Sequence, residues 1–134
     1  MKKSMLGIMI LCVSFAGCGS GNSAPSANLT GDWQFTAYSM MYGYDIAGSG
    51  PLQQNGNSIS GTVNLTGDVC AISAVPISGN VSGASVTLQL EEGNQAVKLT
   101  GTVNAAGTSI GGNYSAPSGG CTDGDYGTWS GTKM

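Results

Sequence analysis

The side chains that could carry out chemistry are few in this chain of 134 residues. It contains seven aspartate or glutamate residues, four lysines, four cysteines and no histidine or arginine. The most common general base is therefore missing, and with it the partner that activates most serine and cysteine nucleophiles. No G-x-S-x-G motif precedes a predicted helix, so a nucleophile elbow is not indicated. The sequence predicts a protein that is not an enzyme and that uses no cofactor.

Asp123 and Asp125 are the carboxylate pair that could most easily support acid–base or metal chemistry. They lie in a glycine-rich segment that superficially resembles a calcium loop. However, Gly127 occupies the third ligand position, Thr128 replaces the glycine that such a loop requires, and the closing glutamate is absent. We therefore predict an Asp-Gly turn here and no metal site.

The N-terminus has the three parts of an export signal. Two lysines give it a positive start, and the apolar run Met5–Phe15 is too short to cross a bilayer as a permanent helix. The small residues Ala16 and Gly17 then precede Cys18. This arrangement resembles the lipobox of bacterial lipoproteins, although Phe15 replaces the usual leucine. In that family the cysteine carries fatty acids such as palmitate, and the chain is cut just before it. The alternative is ordinary cleavage near Gly17, which would leave a soluble secreted protein.

The resemblance to bacterial lipoproteins divides the chain into three segments. Residues 1–17 are the signal peptide, residues 18–28 are the lipidated N-terminus with a flexible tether, and residues 29–134 are the folded domain. The implied location is the cell envelope, with the lipid anchor in a membrane. Gly19, rather than aspartate, follows the cysteine, which implies the outer membrane in a bacterium that has one.

Charge limits the partners of the mature protein. Removal of residues 1–17 leaves 117 residues, enough for one domain with a modest core, and a net charge of −5 from two lysines and seven carboxylates. So few cations cannot neutralise several phosphates, which excludes nucleic acid as a partner. Adsorption to anionic lipid headgroups is excluded in the same way, so membrane attachment depends on the acyl chains.

Cys70 and Cys121 are the cysteines that remain in the domain. An exported protein meets an oxidising compartment, so this pair predicts a disulfide. The loop that it closes is worth roughly 4 kcal/mol of stability on the chain-entropy model. A metal site built on the two cysteines is the alternative.

Apolar and polar residues alternate through the domain, and no stretch has helical periodicity. The clearest example is 85–91, where Val86, Leu88 and Leu90 share one face of a strand. Turn signals such as Asn55-Gly56 divide the domain into short strands with short connections. We predict an all-β fold, an antiparallel up-and-down meander of about eight strands that closes into a small barrel. The strands are expected near 31–38, 46–54, 58–65, 74–82, 85–92, 95–104, 108–115 and 125–133.

A five-residue pattern recurs along these strands: apolar, Ser or Thr, Gly, any residue, apolar. It occurs at 29–33, 59–63, 65–69, 77–81 and 99–103. Because side chains alternate, the glycine faces the core together with both apolar residues. A core-facing glycine lets a strand bend sharply, as barrel closure requires. Simple low-complexity sequence is the alternative explanation.

The segment Leu29–Trp33 resembles the Gly-x-Trp opening of lipocalins and of avidin-type barrels. In those families this tryptophan plugs the closed end of an eight-stranded meander, which is the role implied for Trp33. The chain lacks their other marks: it has no C-terminal helix, and only Lys133 could replace the lipocalin arginine over the tryptophan. The last strand, around Trp129, extends the resemblance to a group of short, uncharacterised bacterial lipoproteins.

The connection after the first strand contains unusual residues for a loop: Met40, Met41, Tyr42 and Tyr44. Methionine adapts to varied shapes and tyrosine makes amphipathic contacts, so this loop, with Tyr126, is a candidate ligand or partner site. The interpretation that we favour is a structural plug that folds over the barrel mouth, and the ligand or partner site is the alternative.

A meander places its connections alternately at two ends. The longer loops at 39–45, 66–73 and 116–124 therefore share one end, and the tether arrives at the other. We expect a lipocalin-like barrel that binds a small apolar ligand at the long-loop end. The alternative is a structural module of the envelope that contacts another protein or a glycan and holds no small molecule.

Overall fold

Eight β-strands form the folded domain in the computed structural model, which describes residues 27–68, 70, 73–92 and 95–134. Each predicted strand is present, with its bounds within one residue of the expected ones. The export signal, Cys18 and the tether up to residue 26 lie outside the described residues. In chain order the strands are β1 (Gly31–Ser39), β2 (Asp45–Asn55), β3 (Ser58–Thr66), β4 (Val75–Ser82), β5 (Ser85–Glu92), β6 (Gln95–Val103), β7 (Ser109–Ser115) and β8 (Tyr126–Lys133).

Every strand pairs antiparallel with its neighbours in the chain, and β1 also pairs with β8, so the meander closes into a barrel. The prediction of an all-β, up-and-down barrel is confirmed. The β2–β3, β4–β5 and β6–β7 turns lie at one end, which we call the closed end, and the other connections lie at the mouth. Within the part of the chain that the structure describes, no helix is long and apolar enough to span a membrane.

Trp33 fills the closed end, as the resemblance implies. Its side chain is fully buried, and its Nε1 donates a hydrogen bond of 2.8 Å to the backbone oxygen of Leu29. Lys133 takes the position over the indole, with Nζ 5.8 Å from the ring centroid. The same Nζ donates a 2.9 Å hydrogen bond to the backbone oxygen of Asn28. The start of the domain is therefore attached to the closed end, as the meander predicts.

Core-facing glycines allow neighbouring strands to approach closely. A Cβ at Gly61 would overlap the backbone oxygen of Pro51, and a Cβ at Gly79 would overlap that of Thr87. These contacts support the prediction that the repeated glycines let the sheet coil. The copy of the pattern at 65–69 differs, because β3 ends at Thr66 and Gly67 has a φ of 86°.

We predict that Gly79→Ala lowers the free energy of unfolding by about 2 kcal/mol or more, because the added methyl group would meet the backbone of β5. Ser78→Ala is the matched control on the outer face of the same strand, and it should change stability by less than about 0.5 kcal/mol. Urea unfolding with the disulfide intact measures both. Equal effects of the two substitutions would contradict the role assigned to this glycine.

Candidate functional site

A cavity of about 60 Å³ lies in the mouth half of the barrel. Its walls are mainly apolar, and they include Phe35, Ala37, Leu65, Leu90, Val97 and Trp129. Its polar side chains are few, and four of them come from the mouth: Asp68, Glu92, Tyr114 and Thr122. A mostly apolar cavity with a few polar groups at one side is typical of a small-molecule site.

A small residue on β1 leaves part of this space open. Ala37 lines the cavity, whereas the space beside the cavity-lining Gly48 on β2 is already occupied, because a Cβ there would lie 2.9 Å from Cδ2 of Leu65. Trp129 on β8 lines the cavity beside Ala37, its partner in the sheet register, and its Nε1 donates to the backbone oxygens of Thr100 and Asn113 at 3.1 Å each. These hydrogen bonds fix the indole as a wall, so it does not move into the gap.

Asp125 organises the polar side of the mouth. It is 1% exposed, and its carboxylate accepts hydrogen bonds from Ser39 Oγ at 2.6 Å, Tyr114 Oη at 2.9 Å and the backbone nitrogen of Tyr126 at 2.8 Å. Burial, and then the hydrogen bond to Asp125, raise the pKa of the Tyr114 hydroxyl above its ordinary value. Tyr114 therefore stays protonated and continues to donate.

Glu92 is the unusual residue of this cavity. It is the last residue of β5 and only 5% exposed, and among the described residues its Oε1 has no hydrogen-bond partner. Burial and the neighbouring carboxylate of Asp68 raise the pKa of Glu92 from 4.5 to about 7. At neutral pH this side chain therefore exchanges between its protonated and charged forms.

The predicted disulfide between Cys70 and Cys121 is present, with 5.9 Å between the Cα atoms. It joins the loop that carries Asp68 to the loop that carries Thr122. Asp68 also accepts a 2.9 Å hydrogen bond from the backbone nitrogen of Cys70. The covalent bond and this hydrogen bond hold the polar groups of two separate loops against the same cavity.

The ligand atoms of Asp68, Cys70 and Glu92 lie within 4.8 Å of one another, a spacing that suits a metal ion. The sulfur of Cys70 is bound in the disulfide, however, so it offers no thiolate. The two remaining carboxylates do not supply the four ligands of a structural zinc site or the six to eight oxygens that calcium takes. This group does not fit a resident metal.

The pair Asp123 and Asp125, considered above for acid–base chemistry, is separated by the fold. Asp123 is exposed and accepts a 2.6 Å hydrogen bond from the backbone nitrogen of Gly119 within the predicted turn. Asp125 is buried among hydroxyl groups. The two carboxylates do not act on one site.

The methionines and tyrosines of the β1–β2 loop lie outside the cavity. The side chains of Met40, Met41 and Tyr42 are 58%, 48% and 49% exposed, and Tyr126 is 50% exposed beside them. The rings of Tyr42 and Tyr44 stack at 6.2 Å. None of these five residues lines the cavity. Met40, Met41, Tyr42 and Tyr126 form an outer surface that we call the Met/Tyr patch, whereas Tyr44 is half-buried and its hydroxyl is buried.

Comparison with known proteins adds no functional assignment. The chain matches no protein-family model and no curated protein. The eight antiparallel strands in a closed meander are consistent with a lipocalin-like fold. The function is therefore argued from the cavity and its polar groups.

We predict that Glu92→Gln stabilises the protein at pH 8 but not at pH 4. The folded protein holds the Glu92 proton up to about pH 7, whereas the unfolded chain releases it near 4.5. The contribution of this proton to stability is complete below pH 4.5 and is lost as the pH rises to 7. Its full size is at most about 3 kcal/mol.

Urea unfolding of the wild type and the variant at the two pH values tests this. The variant should be about 1–3 kcal/mol more stable at pH 8 and nearly equal at pH 4. Glu91→Gln, on the exposed face of the same strand, should have the same stability as the wild type at both pH values. A stability difference of the same size at both pH values would contradict the buried position of the Glu92 carboxyl.

Proposed function

We propose that this protein is an exported lipoprotein, anchored in a membrane of the cell envelope, that binds a small and largely apolar ligand without catalysis. The observation that carries the binding proposal is the apolar cavity in the mouth half of the barrel. A small barrel either fills its interior with side chains or holds one small ligand. This barrel fills its closed end with Trp33 and leaves its mouth half open.

The open space is difficult to explain as packing. An apolar cavity costs stability, because its walls lose contacts that a larger side chain would make. Ala37 leaves part of this space at a strand position where leucine or valine is common elsewhere in the core. A ligand that fills the cavity would restore those contacts in the bound protein.

The envelope location rests on the N-terminal sequence and on two features that agree with it. The disulfide between Cys70 and Cys121 suits an oxidising compartment. The domain begins at the closed end, where Asn28 contacts Lys133, so a lipid on Cys18 would lie at that end. The mouth would then face away from the membrane. The residue after Cys18 is Gly19 and not aspartate, which favours the outer membrane.

A second candidate is an envelope module that meets a protein or a glycan and holds no small molecule. The Met/Tyr patch favours it, because contiguous exposed apolar side chains often mark interaction sites. Tyr38, which is 45% exposed, adds to the apolar side chains exposed near the mouth. The two candidates differ in what the barrel contains.

We predict that native mass spectrometry of protein taken from its own cells detects a retained small molecule. Ala37→Leu should fill the cavity and abolish this retention while the barrel stays folded. Gln34→Leu is the control, because the exposed Gln34 on the same strand does not line the cavity. If the wild-type protein carries no small molecule and the mass spectrum of the Ala37→Leu variant likewise shows none, the interaction module is favoured.

We also predict that Cys18→Ser abolishes incorporation of labelled palmitate and moves the protein from the membrane fraction to the soluble fraction. The thiol of Cys18 is the proposed acylation site, and a lipid anchor is the only source of membrane attachment left by the net charge. Cys12→Ser is the matched control and should retain both label and location. If the Cys18→Ser variant stays in the membrane fraction and takes up no labelled palmitate, the lipoprotein proposal is wrong. The signal would then be removed by ordinary cleavage, and the protein would be attached to the membrane in another way.

A further inference from the structure

We propose that the ligand is an organic amine whose ammonium group binds between Glu92 and Asp68 while its apolar body fills the cavity. This inference rests on the proposed binding function and adds the chemical class of the ligand. It follows from the hydrogen-bonding capacity, the spacing and the charge of the groups at the mouth.

Among the described residues, the unpaired polar atom of the cavity lining is an acceptor. The side chain of Glu92 is only 5% exposed to solvent. Its Oε1 has no hydrogen-bond partner among the described residues. An ammonium group has three donors and no acceptor, so it satisfies such groups without leaving an unpaired polar atom of its own.

The spacing of the two carboxylates suits one ammonium nitrogen. A carboxylate oxygen of Asp68 lies within 4.8 Å of one of Glu92. Charge-assisted N–H···O bonds are about 2.8 Å long, so one nitrogen reaches two oxygens that are up to about 5.6 Å apart. A protonated amine between them also replaces the repulsion of two like charges by two attractions.

The charge of the site excludes the opposite class of ligand. Asp68, Glu92 and Asp125 all lie at the mouth, and the electrostatic fields of Asp68 and Asp125 act on Glu92. Of the two lysines among the described residues, Lys133 lies over Trp33 at the closed end, and Lys98 is exposed on the outer face of β6. A fatty acid would bury its carboxylate beside these acids without a counter-ion, which is costly.

Calorimetric titration of the full-length protein with n-hexylamine, n-hexanol and n-hexanoate at pH 8 tests the inference. These probes share one alkyl chain and differ in the head group. Hexylamine should bind at least about tenfold more tightly than hexanol, with hexanoate the weakest. Glu92→Gln should weaken hexylamine by about tenfold or more and leave hexanol within about threefold.

Two further variants complete the design. Glu91→Gln removes an exposed carboxylate of the same strand and should leave hexylamine binding unchanged. Asp68→Asn keeps an oxygen for the backbone nitrogen of Cys70, so it removes the charge with the loop intact. It should also weaken hexylamine selectively, and it serves as the second test if Glu92→Gln does not fold.

The affinity for hexylamine should also depend on pH. Glu92 must be charged to hold the ammonium group, and the titratable groups around it are Asp68, Asp125 and Tyr114. With the Glu92 pKa at about 7, the charged fraction rises about tenfold between pH 6 and pH 8. Hexylamine affinity should rise by the same factor, and hexanol affinity should not.

The outcomes separate the class of ligand from the existence of a ligand. If hexanol or hexanoate binds as tightly as hexylamine, the amine class is wrong and the cavity function stands. If no probe binds, both fail. If calcium chloride displaces hexylamine and itself binds at micromolar concentration, the carboxylates form a metal site and the amine class is overturned.

Discussion

The close approach of neighbouring strands at core-facing glycines is the constraint on which this structure depends. At Gly61 and Gly79 the backbone of a neighbouring strand, β2 and β5 respectively, occupies the space that a Cβ would need, so any other residue would push the strands apart. Eight short strands can then coil tightly enough for β1 to pair with β8. Closure gives every strand two partners, and a barrel this narrow can be closed at one end by a single tryptophan.

The two ends of the barrel are stabilised by different interactions. At the closed end, Lys133 and the buried indole of Trp33 fix the beginning and the end of the domain together. At the mouth, where three connections are long, the disulfide and the hydrogen bonds to Asp125 attach the loops to the strands. Because the covalent and polar bonds hold the mouth, its interior does not have to be filled with apolar side chains, and the cavity can remain.

The fold was predictable from the sequence to a greater extent than the site was. Alternation and turn residues predict the strands, and the cysteine count predicts the disulfide, because both are local or nearly unique signals. The same alternation places Glu92 inside the barrel after Leu88 and Leu90, but it does not show that one oxygen of this carboxyl lacks a hydrogen-bond partner or that Asp68 lies beside it. The bond between Ser39 and Asp125 joins residues 86 positions apart and depends on loop docking, which no local pattern reveals.

Residue type singles out the β1–β2 loop, whose role as a ligand or partner site stays a prediction. Met40 and Tyr42 are unusual in a connection, but the alternation that assigns strand residues to a face does not extend into a loop, and their side chains lie outside the cavity. Glu92 gives the stronger functional signal because its position is costly. A buried carboxyl with one unpaired oxygen lowers stability at neutral pH, and glutamine could occupy the same place without a buried charge. A barrel already stabilised by closure and by a disulfide can tolerate such a group, and a ligand that supplies the missing donor would recover the stability that the free protein lacks.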